Sequence, residues 1–361
     1  MKDFFIIPPS RVLSRAVQPL ADYFSLPTLP LHIHEIVIMA SFYHFVAVVI
    51  SPLVSHIVFP GKYEALSPTK KLSWDVHVVS FIQSSLINIL AIYVLFNDQE
   101  VKDMDLEERL WGYDGAAAMI QACAAGYFLW DLIMTASNVR VFGVGMLAHA
   151  ICALLVYSIG FRPFVNYYSC NFILWELSSP FLNIHWFCDK LGATGGKVQL
   201  YNGFILIGTF FSCRLVWGTL NSYWVAKDIL AGLNATPTVI TALAAKEGAG
   251  VVLPASYAQT MIYVNENTTV PLWLASVYIA ANLTLNSLNF YWFFKMIDAI
   301  RKRFDTPGEK VKAKEEIEAK DKTSVAKGAT TALDGPTTEL KMRPRRGTLL
   351  DGEEPEQPPP T

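Results

Sequence analysis

Seven long apolar runs dominate the chain up to Met296. They cover about Glu35–Phe59, Trp74–Asn97, Asp114–Ser137, Val141–Ile159, Phe164–Phe187, Gly203–Val225 and Pro271–Met296. A helix of about 20 mostly apolar residues crosses the ~30 Å hydrocarbon layer of a bilayer, and each run reaches that length or falls a residue or so short of it. The link Asn138–Arg140 makes the third and fourth runs an antiparallel hairpin, and Gly160–Pro163 does the same for the fourth and fifth. The pattern predicts an all-α, multi-pass transmembrane helical bundle of about seven spans. Residues 1–34 precede the bundle as an extra-membrane segment, residues 35–66 hold the first span and its link, and residues 304–361 follow as a tail.

Polar residues recur inside these runs at helical spacing. The second carries Ser73, His77, Ser80, Ser84 and Asn88; the fifth carries Ser169, Glu176, Ser179 and Asn183; the seventh carries Tyr278, Asn282, Asn286 and Asn289. Each set falls on one helical face. Tyr127 and Asp131 share a face of the third run, Arg214 and Asn221 one of the sixth. An ionisable side chain at mid-membrane costs at least ~2.5 kcal/mol, so it is expected to face the bundle interior and to find a partner there. His149, Glu176 and Arg214 share the middle depth, which leaves two pairings open, Glu176–Arg214 and Glu176–His149. Depth also suggests that Asp131 meets His77. Two roles compete for the stripes: hydrogen-bonded glue between helices, or the lining of one polar cavity. His44, His56 and His185 read as packing residues.

Charge orients the bundle. Lys62, Lys70 and Lys71 follow the first run, Lys190 and Lys197 the fifth, and Arg301, Lys302 and Arg303 the seventh. Lys and Arg collect on the cytosolic side, which places the C-terminus in the cytosol and the N-terminus outside it. The sequons at Asn234 and Asn267 then fall in a lumenal loop, while Asn282 lies within a span and out of reach of glycosylation. The start of the chain lacks the single apolar core of a secretory signal.

Composition adds less. Of 361 residues 52% are hydrophobic and 17% charged, against about 25% charged in a soluble domain. From Phe304 the chain turns to Lys, Glu, Pro, Thr and Gly, which predicts a disordered tail. The net charge of −2 says nothing about nucleic acid, but no basic stripe with aromatic interleaving occurs, and no nucleic-acid partner is expected. Cys123, Cys152, Cys170, Cys188 and Cys213 form no Cys-x-x-Cys pair, so no disulfide framework or metal site is expected from their spacing. No dinucleotide or phosphate loop, nucleophile elbow or His-Glu-x-x-His motif occurs, and no cofactor is implied.

Five segments in order resemble the TLC-domain family. They are Trp74-x-x-His77-x-x-Ser80, Gly126-Tyr127-Phe128-x-x-Asp131, Glu176-Leu177-Ser178-Ser179-Pro180-Phe181-x-Asn183, Asn202-Gly203 with Phe210-Phe211-x-x-Arg214, and the closing Asn289-Phe290-Tyr291-Trp292-Phe293-Phe294-Lys295-Met296. The resemblance runs from about residue 67 to 303. It implies a six-helix barrel around a central lipid-accessible cavity, in a multi-pass protein of the endoplasmic reticulum or Golgi membrane. The ceramide synthase branch of that family carries adjacent histidines where this chain has Ala148-His149, and it carries an acidic His-Asp-x-x-Asp pattern that is missing here. Both departures count against N-acyl transfer.

The expected function is therefore lipid homeostasis by binding, sensing or moving a membrane lipid. The expected cavity is lined by His77, Asp131, His149, Glu176, Asn183 and Arg214. The alternative is an acyltransferase that uses acyl-CoA with His149 as general base. The oligomeric state is left open.

Overall fold

The computed structural model describes residues 1–233, 235, 237, 257–265 and 268–304. The sequons at Asn234 and Asn267 and the tail from residue 305 lie outside the described residues. Regular structure among those described is helical, apart from an isolated bridge between Leu233 and Val270.

Among the described residues five helices are long and apolar enough to cross a membrane: Leu29–Val58 (α2), Pro68–Asn97 (α3), a stretch Leu106–Ser137 whose long part is Gly115–Ser137 (α4), Val139–Ile159 (α5) and Lys197–Ala231 (α7). The fifth run becomes a broken helix. A 3-10 turn Asn166–Tyr168 leads into a short α-helix Ser169–Ile173, a second 3-10 stretch Leu174–Ser178 and then Ser179–Lys190 (α6). The seventh run is Leu272–Phe304 (α8), 33 residues long. Its buried asparagines Asn282, Asn286 and Asn289 lower its apolar character. Before the bundle lies Arg11–Phe24 (α1), whose Ser10 accepts a hydrogen bond from the Leu13 amide.

The outer faces of these helices are apolar. Leu53 and Ile57 on α2, Ile89 and Phe96 on α3, Phe204, Leu220 and Trp224 on α7, and Leu283 on α8 are all exposed. Polar side chains are drawn into the interior beside the apolar core, where Gln83, Ser84, Asn88, Gln121, Asn183 and Asn286 are buried. This inversion suits hydrocarbon as solvent, and the protein is a multi-pass membrane protein.

The central helix is α4. Its run Ala116, Ala117, Ala118, Ala122, Ala124 and Ala125 is wholly buried and lets α2, α3 and α5 approach its backbone. The closest approach is at Gly126, where an added Cβ would sit 2.7 Å from the Ile36 carbonyl oxygen on α2. The start of α4 is fixed by Asp114, whose carboxylate accepts from the Ala117 amide at 2.8 Å. The preceding helix Leu106–Trp111 is fixed by a reciprocal cap between Asp105 and Glu108.

Residues 1–10 fold back along the bundle. The Met1 amino group reaches Asp98 at 2.8 Å, Glu100 at 2.7 Å and Asp114. The Met1 carbonyl accepts from the Ala116 amide, and the His34 ring lies 2.8 Å from the Ile7 carbonyl.

Candidate functional site

Two irregular stretches of helix carry the central charges. Pro180 sits in the first turn of α6. It lacks an N–H and disfavours a regular turn before it, and the chain tightens there into the 3-10 stretch Leu174–Ser178 that holds Glu176. In α7 the segment Phe210–Trp217 winds as a wider π-helix and holds Arg214. Wide turns of this kind cluster at functional sites. The two stretches pack against each other.

Their meeting point is a buried polar network. Arg214 is 6% and Glu176 8% exposed, and Arg214 Nη2 stands 3.6 Å from Glu176 Oε1. Ser179 joins them: its Oγ accepts from Arg214 Nη2 at 2.9 Å and donates to Glu176 Oε2 at 2.8 Å. Arg214 Nε donates to Ser178 Oγ at 2.9 Å, and Nη1 donates to Asn289 Oδ1 on α8 at 3.1 Å. Of the two open pairings for Glu176, the ion pair with Arg214 is formed. His149 on α5 feels the charges of both groups, and its ring stands 6.2 Å from that of Phe128.

One expected pair is replaced. Asp131 does not meet His77. Asn183 donates through Nδ2 to the Ser179 carbonyl and to Ser80 Oγ, and its Oδ1 accepts from His77 Nδ1 at 2.7 Å. The His77 ring stacks on Trp186, centroids 4.0 Å apart. The reason is azimuth: α3 turns this face toward α6, which depth along the helix does not reveal. Asp131 is 5% exposed, accepts from Thr135 Oγ1 at 3.3 Å on its own helix, and feels the charge of Glu176.

Two cavities are seen among the described residues away from these six, which line neither. One of about 10 Å³ lies between Gln121, Tyr157, Ser169 and Tyr278; one of about 200 Å³ opens beside Trp111, Arg162, Tyr263, Thr268 and Thr269. Phe164 lines both. The inner void reaches Tyr157, which in turn feels Glu176.

Sequence reasoning missed Ser178 as a partner of Arg214. It also missed a half-buried ion pair, in which Arg109 donates to both oxygens of Asp228 at 2.8 and 3.2 Å and Tyr168 donates to Asp228 at 2.7 Å. Both ends of that pair sit at helix ends, where a charge is unremarkable in sequence. Among the described residues the groups able to hold a metal are Asp3, His32 and Glu35, and Asp98, Glu100 and Asp114; neither belongs to the central network.

Residues 73–298 match the family model described as the TLC domain. A TLC domain-containing protein of Schizosaccharomyces pombe is 39% identical over 81% of this chain and 86% of its own length. Topoisomerase I damage affected protein 4 of Saccharomyces cerevisiae is 27% identical over 75% of this chain and 85% of its own. Human TLC domain-containing protein 4 is 32% identical over 44% of this chain and 59% of its own.

Proposed function

This chain belongs to the TLC-domain family, and from that premise we propose that it serves membrane lipid homeostasis by binding, sensing or moving a lipid whose polar head reaches the network of His77, Asp131, His149, Glu176, Asn183 and Arg214. The observation that carries the reading is the convergence of the 3-10 stretch before α6, the π segment of α7 and α8 on one buried ion pair. Burying Arg214 and Glu176 costs several kcal/mol per ion before their attraction is counted. A neutral residue at either place would hold helices together more cheaply.

The route for a head group starts at the 200 Å³ recess. Arg162 supplies a cation there, and Thr268, Thr269 and Tyr263 supply hydroxyls. Phe164 lines both that recess and the small void beside Tyr157. We place the protein in the endoplasmic reticulum membrane with its C-terminus in the cytosol, on the family resemblance and on the basic residues between α2 and α3, at the junction of α6 and α7, and in the last turn of α8.

The test is a comparative lipidome of cells lacking the protein, complemented by the wild type or by Glu176→Gln. One lipid class is expected to shift in the deletion, to return with the wild type, and to stay shifted with an equally abundant Glu176→Gln. Full return with the variant overturns the role of the network; an unshifted lipidome overturns the lipid reading.

A further inference from the structure

We propose that Asp3, His32 and Glu35 form a three-ligand zinc site that fastens the N-terminal segment to α2. Sequence spacing suggests no metal site, because one of the ligands lies far from the other two along the chain. The fold brings them together. His32 Nδ1 stands 3.0 Å from both oxygens of Glu35 and 3.7 Å from Asp3 Oδ2. One ligand atom from each of the three lies within 4.8 Å of the other two.

The separations suit a metal. Zinc binds imidazole nitrogen and carboxylate oxygen at roughly 2.0–2.2 Å in a tetrahedron, so neighbouring ligand atoms stand about 3.3–3.5 Å apart. Separations of 3.0 and 3.7 Å straddle that edge. Without a metal the cluster needs a proton shared between Asp3 and Glu35. A single Nδ1–H is shared between two oxygens of Glu35, and a second carboxylate faces the same nitrogen with no further donor from it. His32 is 1% and Glu35 0% exposed, so water screens little on their side of the cluster.

The surroundings fit as well. His32 Nε2 lies 2.9 Å from Tyr113 Oη, the outer partner that fixes the ring of a metal-binding histidine. With metal on Nδ1, the Nε2–H donates to Tyr113. Beside the cluster His34 is 2% exposed; its Nε2 stands 3.8 Å from Glu35 Oε1, and its Nδ1 has no partner among the described residues. The backbone accommodates Asp3 deliberately: a Cβ on Gly115 would sit 2.7 Å from the Asp3 amide nitrogen. Asp3 is partly exposed, which leaves the fourth position to water.

The test uses the full chain purified in detergent, stripped with a chelator and dialysed against zinc chloride, with zinc counted per chain by elemental analysis. Saturable uptake at the level of a single ion is expected, weakened roughly tenfold or more in Asp3→Asn and in Glu35→Gln. Cobalt(II) in place of zinc is expected to give the intense visible bands of a tetrahedral site in the wild type and not in Asp3→Asn. Zinc is expected to slow tryptic cleavage at Arg11 and Arg15 in the wild type alone. No saturable uptake overturns the site, leaving a shared proton between the carboxylates. Uptake unchanged in both variants also overturns it and assigns the ion to Asp98, Glu100 and Asp114. Equal cleavage with and without zinc overturns the fastening.

Discussion

Arg214 and Glu176 stand 3.6 Å apart, each on a stretch of helix that is not α, with the Ser179 hydroxyl hydrogen-bonded to both. A direct 3.6 Å contact is too long for a hydrogen bond. The pair is therefore held through Ser179 and through the flanking Ser178 and Asn289.

Removing one charge leaves the other buried and uncompensated. Arg214→Met is expected to destabilise the protein by about 3–5 kcal/mol. The double variant Arg214→Met/Glu176→Gln is expected to recover part of that loss. A double-mutant cycle on thermal unfolding in detergent measures both; additive losses would show that the two groups do not interact.

Ser179→Ala removes the hydroxyl and spares the charges. A loss of about 1–3 kcal/mol is expected, the cost of a buried polar group left unsatisfied. The same range is expected for Asn183→Ala, which takes the acceptor from His77. An unchanged unfolding midpoint in either variant contradicts the network as drawn.

Gly126→Val tests the close packing of α4 on α2. The added Cβ meets the Ile36 carbonyl at 2.7 Å, so the helices must part. A loss of about 1–3 kcal/mol is expected. A midpoint equal to that of the wild type contradicts the approach.

The link between α2 and α3 predicts a pH effect. The His56 and Lys71 hydrogen bonds hold the exposed Glu64 carboxyl below its ordinary value of 4.5. A depressed acid adds stability above its unfolded pKa and loses it as pH falls through the folded one. A small stability advantage of wild type over Glu64→Gln is expected near neutrality. It should vanish as acid takes the solution well below pH 4.5. Equal stability across that range refutes the contact.

The proposed orientation is read from protease access. A C-terminal epitope in sealed microsomes is expected to be digested without detergent. Protection of the epitope reverses the assignment.

The spans are legible in sequence because hydrocarbon demands long apolar runs. The helix of the first span starts earlier than its apolar run: α2 begins at Leu29, where the apolar run starts at Glu35. Thr28, His32, His34 and Glu35 are polar yet buried, which a hydropathy pattern cannot show. The break in the fifth span follows from Pro180 and is visible in sequence once its local effect is considered. The inward facing of Asp131, Glu176 and Arg214 was legible from insertion cost alone. Partner choice was not. His77 and Asp131 share a depth, but the helix that faces His77 is α6, and only packing decides that. The N-terminal segment was opaque for a different reason. Its short apolar patches broken by Pro8 and Pro9 look like a linker, and its seat on α4 depends on a glycine far along the chain.

The π segment Phe210–Trp217 gives α7 a particular tolerance of length. A π turn closes one residue later than an α turn. Deleting a single residue there lets the coil relax to regular α, and that relaxation takes up most of the change, so Ser222 keeps its place opposite Asn286 on α8. The same deletion in a regular turn further along α7 swings everything beyond it by roughly 100° about the axis. One codon lost within the wide segment therefore spares the facing of the rest of the span, whereas the same loss a turn or two later scrambles it.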